Sequence, residues 1–265
     1  MSTLVASDLD RTLIYSRKAM ALGKRPANAV CVEIRDGKPA AFMTRTGANG
    51  LGELGRIALV VPVTTRSHRQ FQRVALPMPP AKYAVAANGG VLYVDGVPDR
   101  AWSKAIRRQL DAQFPFSGVW DYAAHVCHPE WTNKIRNADN LFCYAIVHPS
   151  RLPSGFADDV AGWAAERGWR TSLQGRKLYW VPEALTKSAA VAEVKRRADA
   201  ETVLAAGDSL LDADLLLAAD RGIHPAHGEL FDRGWSAPSV VTTLERGALA
   251  GEEIVSWFTA QLAPR

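Results

Sequence analysis

Apolar positions along the chain fall into short runs that end abruptly at polar residues. LVAS (4–7) stops at Asp8 and Asp10, IALVVPV (57–63) stops at Thr64, Thr65 and Arg66, and TVLAA (202–206) stops at Gly207 and Asp208. Helical spacing follows each run, so the pattern predicts strand–helix units and a parallel sheet. In an open parallel sheet, ligands bind beyond the carboxyl ends of the strands, where these three polar groups fall.

Other segments interrupt this alternation. VCVEI and PAAFMT flank RDGK, and Asp36-Gly37 is a two-residue hairpin turn signal, so the stretch 15–56 is an insertion with its own hairpin. GANGLGELG (47–55) reads as a glycine-rich loop, and SHRQFQRVAL (67–76) as a helix that Thr64, Thr65 and Arg66 begin. YAVAANGGVLYVDG reads as a strand, a break at Gly89-Gly90 and a hairpin turned by Asp95-Gly96. Two helix candidates, WSKAIRRQLDAQF and ADDVAGWAAERG, then alternate with two strand candidates, LFCYAIV and RKLYWV. Their interleaving within a larger α/β unit predicts a second domain over 93–179, inserted into a core of 1–92 and 180–265.

Composition narrows the class without naming the chemistry. The 265 residues are 48% hydrophobic and 22% charged, as in ordinary globular proteins. No apolar stretch reaches the ~20 residues of a membrane span, and the N-terminus lacks signal-peptide features; a cytoplasmic protein without membrane partners is expected. Cys31, Cys127 and Cys143 have neither zinc nor redox spacing and are expected to be reduced. The net charge of +5 and pI of 9.2 favour anionic partners, but the basic residues are not interleaved with aromatics, which argues against nucleic acid.

The paired acids carry the first chemical argument. Two carboxylates ~4 Å apart repel by roughly 4 kcal/mol at an effective dielectric of 20, so a cation between them or a retained proton is required. A hard divalent ion with oxygen ligands answers that requirement. An aspartate can also act as a nucleophile toward phosphorus, with a second acid moving the proton. In GDSLLD (207–212), Gly207 permits a tight turn, Asp208 is a candidate metal ligand, and Asp212 is either a further metal-site acid or the N3 partner of a Ser209 cap. Thr64 and Thr65 place hydroxyls where a phosphoryl oxygen could bind, or cap a helix. The apolar positions Val191, Val194 and Ala198 predict a helix beginning near Thr186. Lys187 then stands at the positive end of its dipole, an unfavourable position unless anions are near.

DLDRT (8–12), a strand ending in Thr64, Lys187 and GDSLLD occur in an order that resembles the haloacid dehalogenase (HAD) superfamily of Mg²⁺-dependent phosphohydrolases. The NGG at 88–90 and the inserted region resemble the branch with an α/β cap, which includes Cof-like sugar phosphatases and sucrose-phosphate phosphatase; LVVPVTTRSHRQF and LLLAADRGIHPAHGEL resemble HAD proteins encoded with tellurite-resistance genes. The resemblance implies a Rossmann-like parallel-sheet core with an inserted α+β cap. It implies Asp8 as nucleophile, Asp10 as general acid/base, Thr64 as phosphoryl ligand and Lys187 as the neutralising cation. Thr12, Thr65, Arg66 and Asn88 become candidate substrate-binding residues. Mg²⁺ would be held by Asp8, the Asp10 carbonyl and Asp208, with Asp212 close by. Arg11 stands where the family usually has glycine, and Leu211 where this branch often has asparagine.

Hydrolysis of a small phosphomonoester is the leading expectation. Phosphoryl transfer to a second substrate through the same aspartate, and a catalytically weak regulatory binding protein, are the alternatives. His125, His128 and the His224/His227/Glu229 group match no zinc pattern and read as loop residues. Trp120, Trp131, Arg136, Arg176 and Tyr179 are candidate cap residues for a substrate pocket or for packing. Oligomeric state and the role of the 15–56 insertion are open at this level.

Overall fold

A computed structural model describes residues 2–262 of the chain. Its strands are, in chain order, β1 (Thr3–Ser7), β2 (Ala29–Arg35), β3 (Lys38–Thr44), β4 (Leu59–Pro62), β5 (Tyr83–Ala86), β6 (Val91–Val94) and β7 (Val97–Pro98). They continue with β8 (Thr132–Ala138), β9 (Phe142–Val147), β10 (Trp169–Gln174), β11 (Lys177–Pro182), β12 (Thr202–Ala206), β13 (Arg221–His224) and β14 (Val240–Thr242). A five-stranded sheet runs in the order β14-β13-β12-β1-β4, with every pairing parallel. The near-continuous apolar runs follow from this position, since both faces are covered. Leu4, Ala6 and Val61 pack on one side, and Val5, Val60 and Leu204 on the other.

The second layer system is antiparallel. Strands β8 to β11 form a sheet in the order β10-β11-β9-β8, backed by helices Phe116–Val126 and Phe156–Ala165 and closed around Phe142, Trp169 and Trp180. The molecule is therefore α/β, a parallel central sheet with an added α+β unit. Among the described residues, no helix is long and apolar enough to cross a membrane.

The two hairpins form as expected. Asp36 and Gly37, and likewise Asp95 and Gly96, have positive φ values, as a primed two-residue turn demands. The expected loop at 47–55 is instead part of a helix, Arg45–Ile57, capped by the Thr44 hydroxyl, which accepts from the Gly47 N–H at 2.9 Å. Glycine disfavours a helix by about 1 kcal/mol per residue relative to alanine. These glycines are needed for close approach, however: a Cβ at Gly50 would lie 3.0 Å from Val255, and one at Gly52 3.0 Å from the Pro77 carbonyl. Packing of Leu51 and Leu54 against Ile254 and Phe258 holds the helix despite its composition.

A second difference concerns Thr64, Thr65 and Arg66, which do not begin a helix. The Asn88 N–H donates to the Thr64 carbonyl at 3.0 Å and the Ala87 N–H to the Arg66 carbonyl at 2.7 Å, so this loop is tied to residues 87–88. Only one helical turn, His68–Phe71, follows, with the Gln70 side chain accepting from the Ser67 N–H at 3.0 Å.

Candidate active site

The carboxyl ends of β1, β4 and β12 and the start of helix Lys187–Ala198 meet at one point. Lys187 is 1% exposed, and its Nζ donates to Asp8 Oδ1 at 2.6 Å and also to Asp212 Oδ1. The helix begins beside Thr186, as expected; the Thr186 hydroxyl caps it, and the lysine stands in its first turn. Asp8 and Asp208 are 4% and 2% exposed. Oxygens of Asp8, Asp208 and Asp212 all lie within 4.8 Å of one another. Burial pushes the Asp8 carboxyl up; Lys187 opposes and Asp212 reinforces this, and the result is about 7. Burial likewise raises Asp208, while burial of Lys187 is outweighed by Asp212 and Asp8, so the lysine stays charged.

Asp212 is the N3 partner of the Ser209 cap and also stands in the acid cluster. Its Oδ2 accepts from the Ser209 N–H at 3.0 Å, the Ser209 hydroxyl at 2.7 Å and the Asp208 N–H at 3.1 Å, while Oδ1 faces Lys187. With both oxygens engaged, it fixes the Asp208 loop and the lysine. Asp208 differs: its Oδ2 is buried without a hydrogen-bond partner, and the nearest cation is Arg11 Nε at 3.6 Å. An orphaned buried carboxylate oxygen beside Asp8, in an all-oxygen donor set, fits a hard cation such as Mg²⁺.

Arg11 adopts φ 66°, a left-handed conformation that disfavours a side chain. His227 braces it: Nε2 donates to the Arg11 carbonyl at 2.9 Å and Nδ1 accepts from the Gly247 N–H at 3.2 Å. Burial lowers His227 to about 4, which keeps it neutral. His224 similarly bonds the Pro225 carbonyl and the Thr242 hydroxyl. Neither histidine joins a metal-competent group among the described residues.

Asp10 stands apart from the lysine cluster. Arg66 grips it bidentately, Nε to Oδ2 at 2.7 Å and Nη2 to Oδ1 at 2.9 Å, and Arg66 Nη1 reaches Glu33 Oε2 at 2.9 Å. Arg73 also pairs with Glu33, at 3.1 Å. Burial would raise the Asp10 carboxyl, but Arg66 and Lys177 outweigh it and hold the group well below the usual carboxylate range. Thr64 Oγ1 accepts from the Arg66 N–H at 3.2 Å, which leaves the hydroxyl proton free to donate. Thr65 is buried, and Thr12 Oγ1 is buried without a partner. Asn88 donates to the Leu185 carbonyl at 2.8 Å, which ties it to the segment leading into Lys187, while its Oδ1 is unpartnered. Leu211, at the position where the branch often has asparagine, is fully buried in apolar packing.

The antiparallel unit closes over this site through the β10–β11 hairpin. The Ser172 hydroxyl donates to Glu229 Oε2 at 2.5 Å, the Leu173 N–H to Glu229 Oε1 at 3.2 Å, and Gln174 Nε2 to Ser209 Oγ at 3.0 Å. Glu229 also accepts from the Leu210 N–H at 3.1 Å, so one carboxylate joins the hairpin to the Asp208 loop. Of the cap residues raised by sequence, Tyr179 is buried against Tyr144, whereas Trp131 packs against Phe156. Glu33 and Lys177 carried no recognisable signal. A β-bulge at Cys31/Glu33/Ile34 turns Glu33 inward, against the alternation that would place it opposite Val32.

No protein-family model matches the sequence, and no curated protein matches it. Solved structures do. The sucrose-phosphatase from Synechocystis sp. PCC6803, solved with sucrose and phosphate, is 16% identical with a TM-score of 0.66 and covers 98% of this chain and 99% of its own. A haloacid dehalogenase-like hydrolase from B. subtilis is 14% identical, with a TM-score of 0.58 over 98% and 99%. A trehalose-6-phosphate phosphatase related protein is 14% identical, with a TM-score of 0.53 over 97% of both chains. The chain has the fold of the capped haloacid dehalogenase phosphatases, core and cap together.

Proposed function

We propose that the chain is a Mg²⁺-dependent phosphohydrolase that cleaves a small phosphomonoester through an aspartyl-phosphate on Asp8. The observation that carries this reading is the convergence of Asp8, Asp208 and Lys187, remote in sequence, in one buried cluster at the carboxyl ends of the parallel strands. The orphaned Asp208 oxygen supports a cation bound there. When bound, Mg²⁺ held by Asp8, the Asp10 carbonyl and Asp208 supplies charge neutralisation for the phosphoryl oxygens and keeps Asp8 ionised.

Each residue has a defined task in this scheme. Asp8 attacks phosphorus, the bond to the leaving oxygen breaks, and Asp10 delivers a proton to that oxygen. Asp10 then takes a proton from the water that attacks the aspartyl-phosphate, releasing phosphate and restoring Asp8. Lys187 and the Thr64 hydroxyl hold phosphoryl oxygens, an electrostatic role that acts most strongly in a dry site. Asp212 positions Lys187 and Asp208, and Asn88 positions the segment before Lys187.

The test is release of inorganic phosphate from a panel of sugar, polyol and nucleoside phosphates with Mg²⁺, beside Asp8→Asn. Turnover by the natural chain, abolished by D8N with an unchanged melting profile, is expected. A folded, Mg²⁺-binding protein inactive toward the whole panel would refute hydrolysis and favour a regulatory role.

A further inference from the structure

Six cations around the site are paired, and one partly buried cation is not. Arg11, Arg66, Arg73, Arg170, Lys187 and Arg233 each have a carboxylate partner. Lys177, the first residue of β11, has neither a carboxylate nor a hydrogen-bonding partner among the described residues. It is partly buried, with Nζ 5.7 Å from the ring centre of Tyr144 and 5.9 Å from that of Tyr179. It also stands close enough to Asp10 to depress that carboxyl. Withdrawing an ammonium from water without a counter-ion is unfavourable, and tyrosine faces recover only part of that.

We propose that Lys177 is a specificity residue that receives an anionic group on the leaving alcohol, so that the preferred substrates are phosphomonoesters carrying a carboxylate or a second phosphate. This rests on the phosphohydrolase reading and narrows it. The lysine comes from the cap, whereas the groups assigned to the transferred phosphoryl, Thr64 and Lys187, come from the core. Asp10, assigned to the leaving oxygen, is close enough to feel both Lys177 and Lys187. An anion on the alcohol therefore falls on the Lys177 side of Asp10. Arg66 is committed elsewhere, because each of its three guanidinium nitrogens already faces Asp10 or Glu33. The Tyr144 hydroxyl accepts from Gln70 at 2.8 Å and retains its own proton to donate beside the ammonium.

Matched pairs test this. Phosphate release is compared for 3-phosphoglycerate against glycerol 3-phosphate, and for fructose 1,6-bisphosphate against fructose 6-phosphate, with Lys177→Gln and Lys177→Arg beside the natural chain. The anionic member of at least one pair is expected to have a kcat/KM at least tenfold higher, and which pair responds separates a carboxylate from a second phosphate. K177Q should narrow that ratio to within threefold and K177R should keep most of it, with thermal melts confirming that both fold. Equal rates within both pairs, or a K177Q loss that falls equally on both members, would overturn this inference and leave the phosphohydrolase reading intact. Absence of phosphate release from every substrate would overturn both.

Discussion

Lys187→Met is the perturbation that most directly probes the buried cluster. The substitution keeps an unbranched chain of similar length and removes the one cation bonded to both Asp8 and Asp212. The nearest remaining positive group is Arg11, which faces Asp208 at 3.6 Å. Removing one partner of a buried ion pair costs about 3–5 kcal/mol. At about 2–4 °C per kcal/mol for a chain of this size, the melting temperature without divalent cations should fall by about 6–20 °C. The loss should depend on pH with a definite sign. In the native chain the Asp8 carboxyl, at about 7, lies above its ordinary 3.8, so the folded state keeps a proton that the unfolded state releases. Its contribution to stability is therefore complete below about pH 4 and is lost as pH rises through 7. Without Lys187 the carboxyl moves higher still, and the gap between variant and native chain should be narrow at pH 5 and widest at pH 8. Differential scanning calorimetry in EDTA across pH 5–8 measures it, and added Mg²⁺ should narrow the gap by restoring positive charge. A uniform gap across pH, or one below 2 °C at pH 8, would refute the electrostatic account of the cluster.

Three further outcomes follow from the same geometry. Because burial raises both Asp8 and Asp208, Mg²⁺ binding as proposed would displace protons near neutrality; titration calorimetry in buffers of different ionisation enthalpy should detect proton release, and affinity should weaken as pH falls below 7. Arg11→Gly removes a strained left-handed side chain and the cation beside the orphaned Asp208 oxygen, so Mg²⁺ affinity should rise severalfold; unchanged or weaker affinity in calorimetry would contradict that role for Arg11. Glu33→Gln leaves Arg66 to Asp10 alone, which should lower the Asp10 carboxyl further, move the limb of the pH–rate profile that reports it to lower pH, and slow alkyl phosphates more than p-nitrophenyl phosphate, whose leaving group needs no proton. Equal slowing of both substrates would show that Glu33 acts only through folding.

What the sequence made legible was whatever local rules determine. Strand ends, the Asp-Gly turns, the helix start near Thr186 and the Ser209–Asp212 spacing each follow from neighbours within a few residues. Local rules failed where remote packing overrode them. The glycines at 50 and 52 suit a loop by propensity, and only the approach of Val255 and Pro77 makes them helical. The loop at 64–66 lacks a helix because residues 87 and 88 capture its carbonyls. Glu33 and Lys177 are single charged residues on strands, indistinguishable in sequence from solvated ones, and their burial follows from a bulge and from the closure of the cap over the core.

Glu33 also gives the 15–56 insertion a chemical place. A general acid must hold a proton near neutral pH, whereas a carboxylate gripped by a guanidinium fork surrenders it readily. On the proposed mechanism, Asp10 in the resting arrangement is therefore suited to take a proton from water, and its acid step would depend on how firmly Arg66 holds it. Glu33 bears on that grip because Arg66 is already shared with it, and Arg73 shares Glu33 in turn. If Arg66 withdraws from Asp10 as a leaving group arrives, it retains a carboxylate partner and is not left as an unpaired buried charge, an outcome that would itself cost several kcal/mol. On the proposed mechanism the hairpin would thus supply the second carboxylate that lets one arginine release Asp10, coupling an element outside the parallel sheet to the protonation of a residue beyond the carboxyl end of β1.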